Sequence, residues 1–374
     1  MKYFIIAGEP SGDLHGSNLV KHLFMADPAA DISCWGGDLM KEAGGRLLKH
    51  YRETAYMGVW EVLVHAPSIR ANFNECYRQI DEFSPDVVIL IDYPGFNLRV
   101  ARHAKKSGLK VFYYISPKFW AWNEGRVRHI RDYVDRLYII FPFETEFFDR
   151  HGIKSYFLGN PLIDQVERWK QKAGDVEETR ASLGLDEKPV IALLSGSRMQ
   201  EVSKILPAMV SVAGSLPDYR FVVAGMDHLP ARMYDTIIGD LPVKVVFNRT
   251  YDLLSVAEAA LVTSGTATLE AALFDVPQVV CYRTSPFTYH IAKRFIKVRF
   301  LSLVNLIMDR AVVKELIQDD LKQVNLHREL QAIIKSGYGH ERIKSDYRLL
   351  RRILGGSGAS ARVAADMIDN LINS

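Results

Sequence analysis

The chain has 374 residues, of which 48% are hydrophobic, 24% charged and 11% aromatic. This is room for about two domains with a sizeable core each, and it excludes a disordered chain or a disulfide miniprotein. Lys and Arg at 47 against Asp and Glu at 44 give +3, too weak a bias to imply nucleic-acid binding, and no nucleic-acid module is recognisable. Three cysteines, Cys34, Cys76 and Cys281, form no CxxC pair, so neither a disulfide framework nor a zinc site is expected, and a reducing cytoplasm is the natural setting. No apolar run approaches the roughly 18 residues of a membrane span. The chain is expected to be soluble or to lie on a membrane surface, without a signal peptide.

In chain order, β-branched and aromatic runs predict strands over 3–7, 86–91, 110–115, 137–141 and 155–158, then over 189–194, 220–224, 243–247, 259–263 and 278–282. Several are unbroken apolar runs, such as Val87-Val88-Ile89-Leu90-Ile91, as parallel strands covered on both faces should be. Helical segments alternate with them, which argues for α/β architecture with two Rossmann-like, doubly wound sheets. The polar stretch 165–188 reads as a linker between a first domain, 1–164, and a second, 189–354. After Gly355-Gly356-Ser357-Gly358, apolar residues Val363, Ala364, Met367, Ile368, Leu371 and Ile372 fall at helical spacing. Such a helix caps the second domain, docks back on the first or seats on a partner subunit. Neither half opens with GxGxxG, so a dinucleotide site lacks its main support.

Chemistry-bearing motifs follow the expected strand ends, where open α/β sheets bind ligands. Gly8-Glu9-Pro10-Ser11-Gly12-Asp13 reads either as a ligand crevice or as an ordinary turn with Asp13 capping a helix. Asp92, in Asp92-Tyr93-Pro94-Gly95-Phe96-Asn97, reads as a general base in a desolvated cleft or as a turn-stabilising acid. Ser116-Pro117-Lys118-Phe119-Trp120-Ala121-Trp122, with Arg126 beyond, suggests a ligand wall or a packed loop. In the second half, Ser195-Gly196-Ser197-Arg198 with Glu201 suits a phosphate. Ser264-Gly265-Thr266-Ala267-Thr268-Leu269-Glu270 would present free N–H groups at a helix start, with Glu270 one turn in for a ribose. For each of these turns the plain alternative is a capped helix start. Residues 287–301 interleave Lys293, Arg294, Lys297 and Arg299 with apolar groups, as an anionic membrane surface or a solvated basic helix face would require. The run 59–67 around Trp60 is similarly apolar.

Taken together, the motifs resemble the lipid-A-disaccharide synthase family, inverting glycosyltransferases of the GT-B architecture. The resemblance runs nearly end to end. It adds Met57-Gly58, Pro142-Phe143-Glu144, Gly159-Asn160-Pro161-Leu162 with Asp164, Ser302-Leu303 with Asn305, and Glu315-Leu316 with Gln318. It implies two Rossmann-like domains facing across a cleft. It implies condensation of UDP-2,3-diacylglucosamine with 2,3-diacylglucosamine 1-phosphate to a β-1′,6-linked disaccharide and UDP, with no metal or other cofactor. The enzyme would work at the cytoplasmic face of the inner membrane as a peripheral protein, and the last helix leaves a homodimer open. By this resemblance Ser195, Gly196, Arg198, Gly265, Thr266, Glu270, Asn305 and Gln318 hold the nucleotide sugar, Arg198 meeting the diphosphate. Ser11, Met57, Trp60, Val62, Trp120, Trp122 and Arg126 meet the acylated acceptor. Asp92, then Asp13, are the candidate bases. Two departures stand out. Many relatives carry a second aspartate where this chain has Gly95, and the usual histidine after Gly159 is Asn160. Rival readings are another GT-B transferase with a membrane-lipid acceptor, and a nucleotide-sugar-binding surface protein that has lost catalysis.

Overall fold

The computed structural model describes residues 1–53, 66–122, 124–285, 289, 294 and 298–373, with the side chains of residues 66 and 122 outside the description. The chain forms two units, one of residues 1–164 with 355–374 and the other of 165–354. In the first, seven parallel strands run in the order β3-β2-β1-β4-β5-β6-β7. They are β1 (Lys2–Ala7), β2 (Asp31–Gly36), β3 (Arg46–His50), β4 (Val87–Ile91), β5 (Lys110–Tyr114), β6 (Arg136–Ile139) and β7 (Ser155–Phe157). In the second, six parallel strands run β10-β9-β8-β11-β12-β13. These are β8 (Val190–Leu194), β9 (Arg220–Gly225), β10 (Val243–Phe247), β11 (Ala257–Thr263), β12 (Gln278–Tyr282) and β13 (Lys314–Ile317). This is the doubly wound α/β fold that the apolar runs announce.

Central strands are apolar on both faces because helices cover both. Every residue of β4 is buried. Phe4, Ile6, Val88 and Leu90 point to one layer, while Tyr3, Ile5, Val87 and Ile89 point to the other, the alternation a pleated strand imposes. Three strands carry no such run and were not expected. β2 opens on Asp31 and buries the polar Ser33, which is satisfied by the Arg46 guanidinium at 2.8 and 3.1 Å. β3 reads Arg-Leu-Leu-Lys-His and β13 Lys-Glu-Leu-Ile, both half-buried edge strands with little apolar signal. The polar stretch 165–188 is ordered rather than open: it holds the end of helix Pro161–Lys170 and all of helix Val176–Ser182.

The C-terminal helix Ala359–Ile372 packs on the first unit. Val363, Ala364, Met367 and Ile368 join Leu19, Val20 and Leu23 of helix Pro10–Ala26 in one core layer, each large apolar side chain contributing ~1.5–3 kcal/mol. The Asp164 carboxylate accepts from the N–H groups of Gly358, Ala359 and Ser360 at 2.5, 3.3 and 3.1 Å, capping the helix from 194 residues away. Arg136 grips Asp366 through two bonds of 2.7 Å, and Tyr138 donates to the same carboxylate at 2.8 Å. Gly159 (φ +109°) permits the approach, since a Cβ there would lie 2.5 Å from the Arg362 guanidinium.

Cys34, Cys76 and Cys281 are free and buried. Among the described residues no helix is long and apolar enough to cross a membrane. The candidate acceptor residues Met57, Trp60 and Val62, the side chain of Trp122 and most of the basic segment 287–297 lie outside the described residues.

Candidate functional site

Strand order changes direction at two points, β1 beside β4 and β8 beside β11, with Ala7 in register with Ile91 and Leu194 with Val262. The loops that leave these four strand ends part above and below the sheet, opening a crevice at each switch point. The sequence motifs fall there in pairs: Gly8–Asp13 with Asp92–Asn97, and Ser195–Arg198 with Ser264–Glu270.

At the first edge, Gly8 lies against the Tyr93 ring so closely that a Cβ would fall 2.2 Å from it. Asp92 and Tyr93 both adopt left-handed backbone, φ 45° and 49°. Such non-glycine residues cost of order 1–3 kcal/mol each and persist only when their surroundings fix them. Here the Asp92 carbonyl accepts from Asn97 Nδ2 at 2.7 Å and from the Tyr113 hydroxyl at 2.5 Å. The side chain is thereby held in a poorly solvated position. Burial pushes the Asp92 carboxyl up to about 6, Lys118 pulls it back, Glu9 adds to the rise and the Tyr93 N–H opposes it. A carboxylate poised near neutrality at a strand edge can take a proton from a hydroxyl. Gly95 is exposed, with no atom within 4 Å of where its Cβ would stand, so nothing steric excludes a side chain there.

Asp13 is differently employed. Its Oδ1 accepts from the N–H groups of Gly37 and Met40 at 2.7 and 3.1 Å, and its Oδ2 from Leu39 at 3.1 Å. The carboxylate latches the loop after β2 to helix Pro10–Ala26, so its expected role as a second base gives way to a structural one. Ser11 is exposed at the start of that helix, and Arg126, in the short helix Glu124–Arg126, lies near enough to Tyr113 to favour its ionised form.

The segment after β5 is built around Glu144, which the Pro142-Phe143-Glu144 motif contains but to which the sequence assigned no role. Glu144 is 1% exposed, in the first turn of helix Phe143–Asp149. It accepts from Ser116 Oγ at 2.5 Å and Trp120 Nε1 at 3.0 Å. It also accepts from the N–H groups of Ile140 and Phe141 at 3.2 and 3.0 Å. Asn160 donates to the Ile140 carbonyl at 2.9 Å and accepts from the Leu162 N–H at 2.9 Å, a structural use of the position.

At the second edge Gly196 has φ +105°, and a Cβ would meet the Glu201 carboxylate at 2.4 Å. Glu201 Oε2 accepts from the N–H groups of Ser197 and Arg198 at 3.1 and 3.3 Å. The turn is thus closed from inside, while the Arg198 side chain stays 69% exposed with only a loose 3.4 Å contact to Glu201. Ser195 and, on the neighbouring strand, Thr263 bury hydroxyls with no partner among the described residues. Gly265 starts helix Thr266–Leu273 with no side-chain cap and no atom within 4 Å of its Cβ position. Among the described residues this helix start thus carries no side-chain cap, and its dipole favours an anion there. Glu270 Oε1 accepts from the Tyr251 hydroxyl at 3.0 Å, and burial raises its pKa.

Asn305 and Gln318 stand behind this edge. Asn305, 1% exposed, donates to the Val313 carbonyl and to Glu315 at 2.9 Å each and accepts from the N–H groups of Val312 and Val313 at 2.8 and 3.0 Å. Its amide is fully engaged, a correction to the expected sugar contact. Glu315 in turn accepts from the N–H groups of Leu301 and Ser302, and the Leu301 carbonyl receives the Ser264 hydroxyl at 2.8 Å. The group thus supports the Gly265 turn. Gln318 accepts from the Thr284 N–H at 2.7 Å and donates to its carbonyl at 3.3 Å, again within the protein. Among the described residues no cluster of three His, Cys, Asp or Glu could hold a metal ion.

The chain is similar to known proteins over nearly its whole length. The family model described as lipid-A-disaccharide synthetase matches residues 3–361. A lipid-A-disaccharide synthase of Geobacter sulfurreducens is 38% identical over 99% of this chain and 97% of its own length. One from Coxiella burnetii is 34% identical over 98% of each. Among solved structures, a UDP-GlcNAc 2-epimerase from Neisseria meningitidis bound to UDP-GlcNAc superposes with a TM-score of 0.71 at 12% identity, covering 99% of this chain and 100% of that one. The calicheamicin glycosyltransferase CalG4 superposes at 0.60 and 16% identity, covering 99% and 98%. At such identities these two speak to the fold alone, and it is that of GT-B glycosyltransferases.

Proposed function

We infer the function from one premise: this chain belongs to the lipid-A-disaccharide synthase family, and is therefore a glycosyltransferase of lipid A biosynthesis. The donor is UDP-2,3-diacylglucosamine and the acceptor 2,3-diacylglucosamine 1-phosphate. The acceptor's 6-hydroxyl attacks the donor's anomeric carbon from the face opposite the nucleotide. A new C–O bond forms, the bond from that carbon to the diphosphate oxygen breaks, UDP leaves, and the β-1′,6 link results from inversion. The hydroxyl proton passes to Asp92, whose raised pKa suits a base working near neutral pH.

The observation that carries this reading is the pairing of motifs at both switch points in a chain of this family. Gly265, Thr266 and the exposed Arg198 receive the diphosphate, where positive groups stabilise the charge that develops on leaving UDP. Ser195 and Gly196 form the turn beside the same anion, the Ser195 hydroxyl being buried behind it with no partner among the described residues. Glu270 offers a carboxylate oxygen to the ribose. The acylated acceptor is taken by the first unit, with Ser11, Trp120 and Arg126 at its strand edge and Met57, Trp60, Val62 and Trp122 completing the lipid contact. Acylated substrates put the protein on the cytoplasmic face of the inner membrane as a peripheral enzyme.

The test is a purified-protein assay with both lipids and chelator present. UDP release that requires both lipids, with the disaccharide phosphate identified by mass spectrometry, is expected. UDP binding without transfer to this acceptor would refute the assignment.

A further inference from the structure

Glu144 has a role that family membership does not supply. Its four donors come from two places: Ser116 and Trp120 follow β5, while Ile140 and Phe141 follow β6. All four are neutral, and none titrates near pH 7. Burying a carboxylate without a cation is costly unless its hydrogen bonds are complete. Burial pushes Glu144 up to about 7 against the pull of these bonds.

The donors differ in what they tolerate. The backbone N–H groups on Oε2 and the Trp120 indole N–H can only donate, whereas the Ser116 hydroxyl can turn and accept. A proton arriving on Glu144 therefore settles on Oε1, points at Ser116 and weakens the Trp120 bond. The segment so held is short and strained. Ile115, just before Ser116, has φ +65°, a genuine outlier for a β-branched residue. The Trp120 ring is also set edge-on to Phe143 at 4.9 Å and 89°. Lys118 lies on the same segment and favours the ionised form of Asp92.

We propose that Glu144 is a positioning residue for the acceptor site: its carboxylate clamps residues 116–120 to the strand edge, fixing Trp120 as a wall and Lys118 beside Asp92. The proposal rests on the reading of that edge as the acceptor site. Glu144→Gln keeps the size of the side chain but turns one accepting oxygen into a donor.

Two readouts separate this role from mere stability. The first is tryptophan emission against pH, taken as the difference from Trp120→Phe. Wild type should titrate near pH 7, and Glu144→Gln should not. The second is steady-state transfer. In Glu144→Gln, kcat/KM for the acceptor should fall about tenfold, the equivalent of about 1.4 kcal/mol, while UDP affinity stays within about twofold, since UDP belongs to the other unit. Folded Glu144→Gln with wild-type acceptor kinetics overturns the proposal, as does a tryptophan titration identical in both proteins. Should Glu144→Gln not fold, Ser116→Ala removes one bond that favours the ionised carboxylate; its emission titration should move to higher pH and its kcat/KM for the acceptor should fall, and no change in either overturns the clamp. A wild-type enzyme that transfers no sugar refutes the functional reading, and the emission titration then still decides the clamp on its own.

Discussion

Replacing Asp92 by Asn should make the protein less active and, above neutral pH, more stable. Burial lifts the Asp92 carboxyl from 3.8 to about 6, so the folded state holds a proton that the unfolded chain releases between those values. Because the folded pKa is the higher, stability attached to this group is present below about pH 4 and is lost as pH rises through about 6. The shift corresponds to a cost of about 3 kcal/mol at full ionisation, about half of it incurred between pH 5 and pH 8. Asn does not titrate and escapes that cost. Urea unfolding followed by tryptophan emission suits the measurement, since Trp35, Trp60, Trp120 and Trp122 lie in the first unit and only Trp169 in the second. The stability of Asp92→Asn relative to wild type should rise with pH over this range. Turnover of wild type should fall about tenfold per pH unit below the folded pKa, and this limb should vanish in the variant together with most activity. Lys118→Met should move the limb to higher pH and Glu9→Gln to lower pH. A limb near the ordinary carboxylate value, a limb that survives in Asp92→Asn, or equal shifts for the two neighbours would refute the reasoning.

Other residues give sharper separations of binding from scaffolding. Arg198→Ala removes an exposed guanidinium; UDP affinity should drop about tenfold or more while the unfolding midpoint stays put, and calorimetry showing unchanged affinity would remove Arg198 from the site. Asn305→Ala should behave in the opposite way. It strips partners from the backbone groups of Val312 and Val313 and should cost about 3 kcal/mol, with UDP affinity in the folded fraction little changed. Asp164→Ala uncaps helix Ala359–Ile372 at a cost of about 1–2 kcal/mol, and limited proteolysis at Gly355-Gly356 should quicken; wild-type cleavage rates would show the cap to be idle.

The central strands were legible because burial on both faces writes itself as unbroken apolar runs. β2, β3 and β13 were not, because an edge strand or one that buries a serine against an arginine needs no such run. The small-residue turns could be read one at a time, yet their pairing could not. That Ala7 lies beside Ile91 and Leu194 beside Val262 is a matter of strand order, which no local spacing carries. Asp13 and Asn305 looked like ligand contacts because a polar residue near a strand end looks the same whether it faces solvent or a backbone N–H. Glu144 stood in a family motif but was given no role, for the converse reason: an acid in the first turn of a helix is ordinary, and only the return of residues 116–120 to the same place makes it a hub.

The Asp164 cap and the Arg136–Asp366 pair join segments about 200 residues apart, and this has a consequence during synthesis. The first unit is interrupted by the residues from Gln165 to Leu354, so it emerges from the ribosome lacking the last helix of that core layer. At translation speeds of about 5–20 residues per second, the apolar face meant for Val363, Met367 and Ile368 waits on the order of 10–40 seconds uncovered. During that interval the nascent first sheet is an adhesive surface, and it is where a chaperone would be expected to bind.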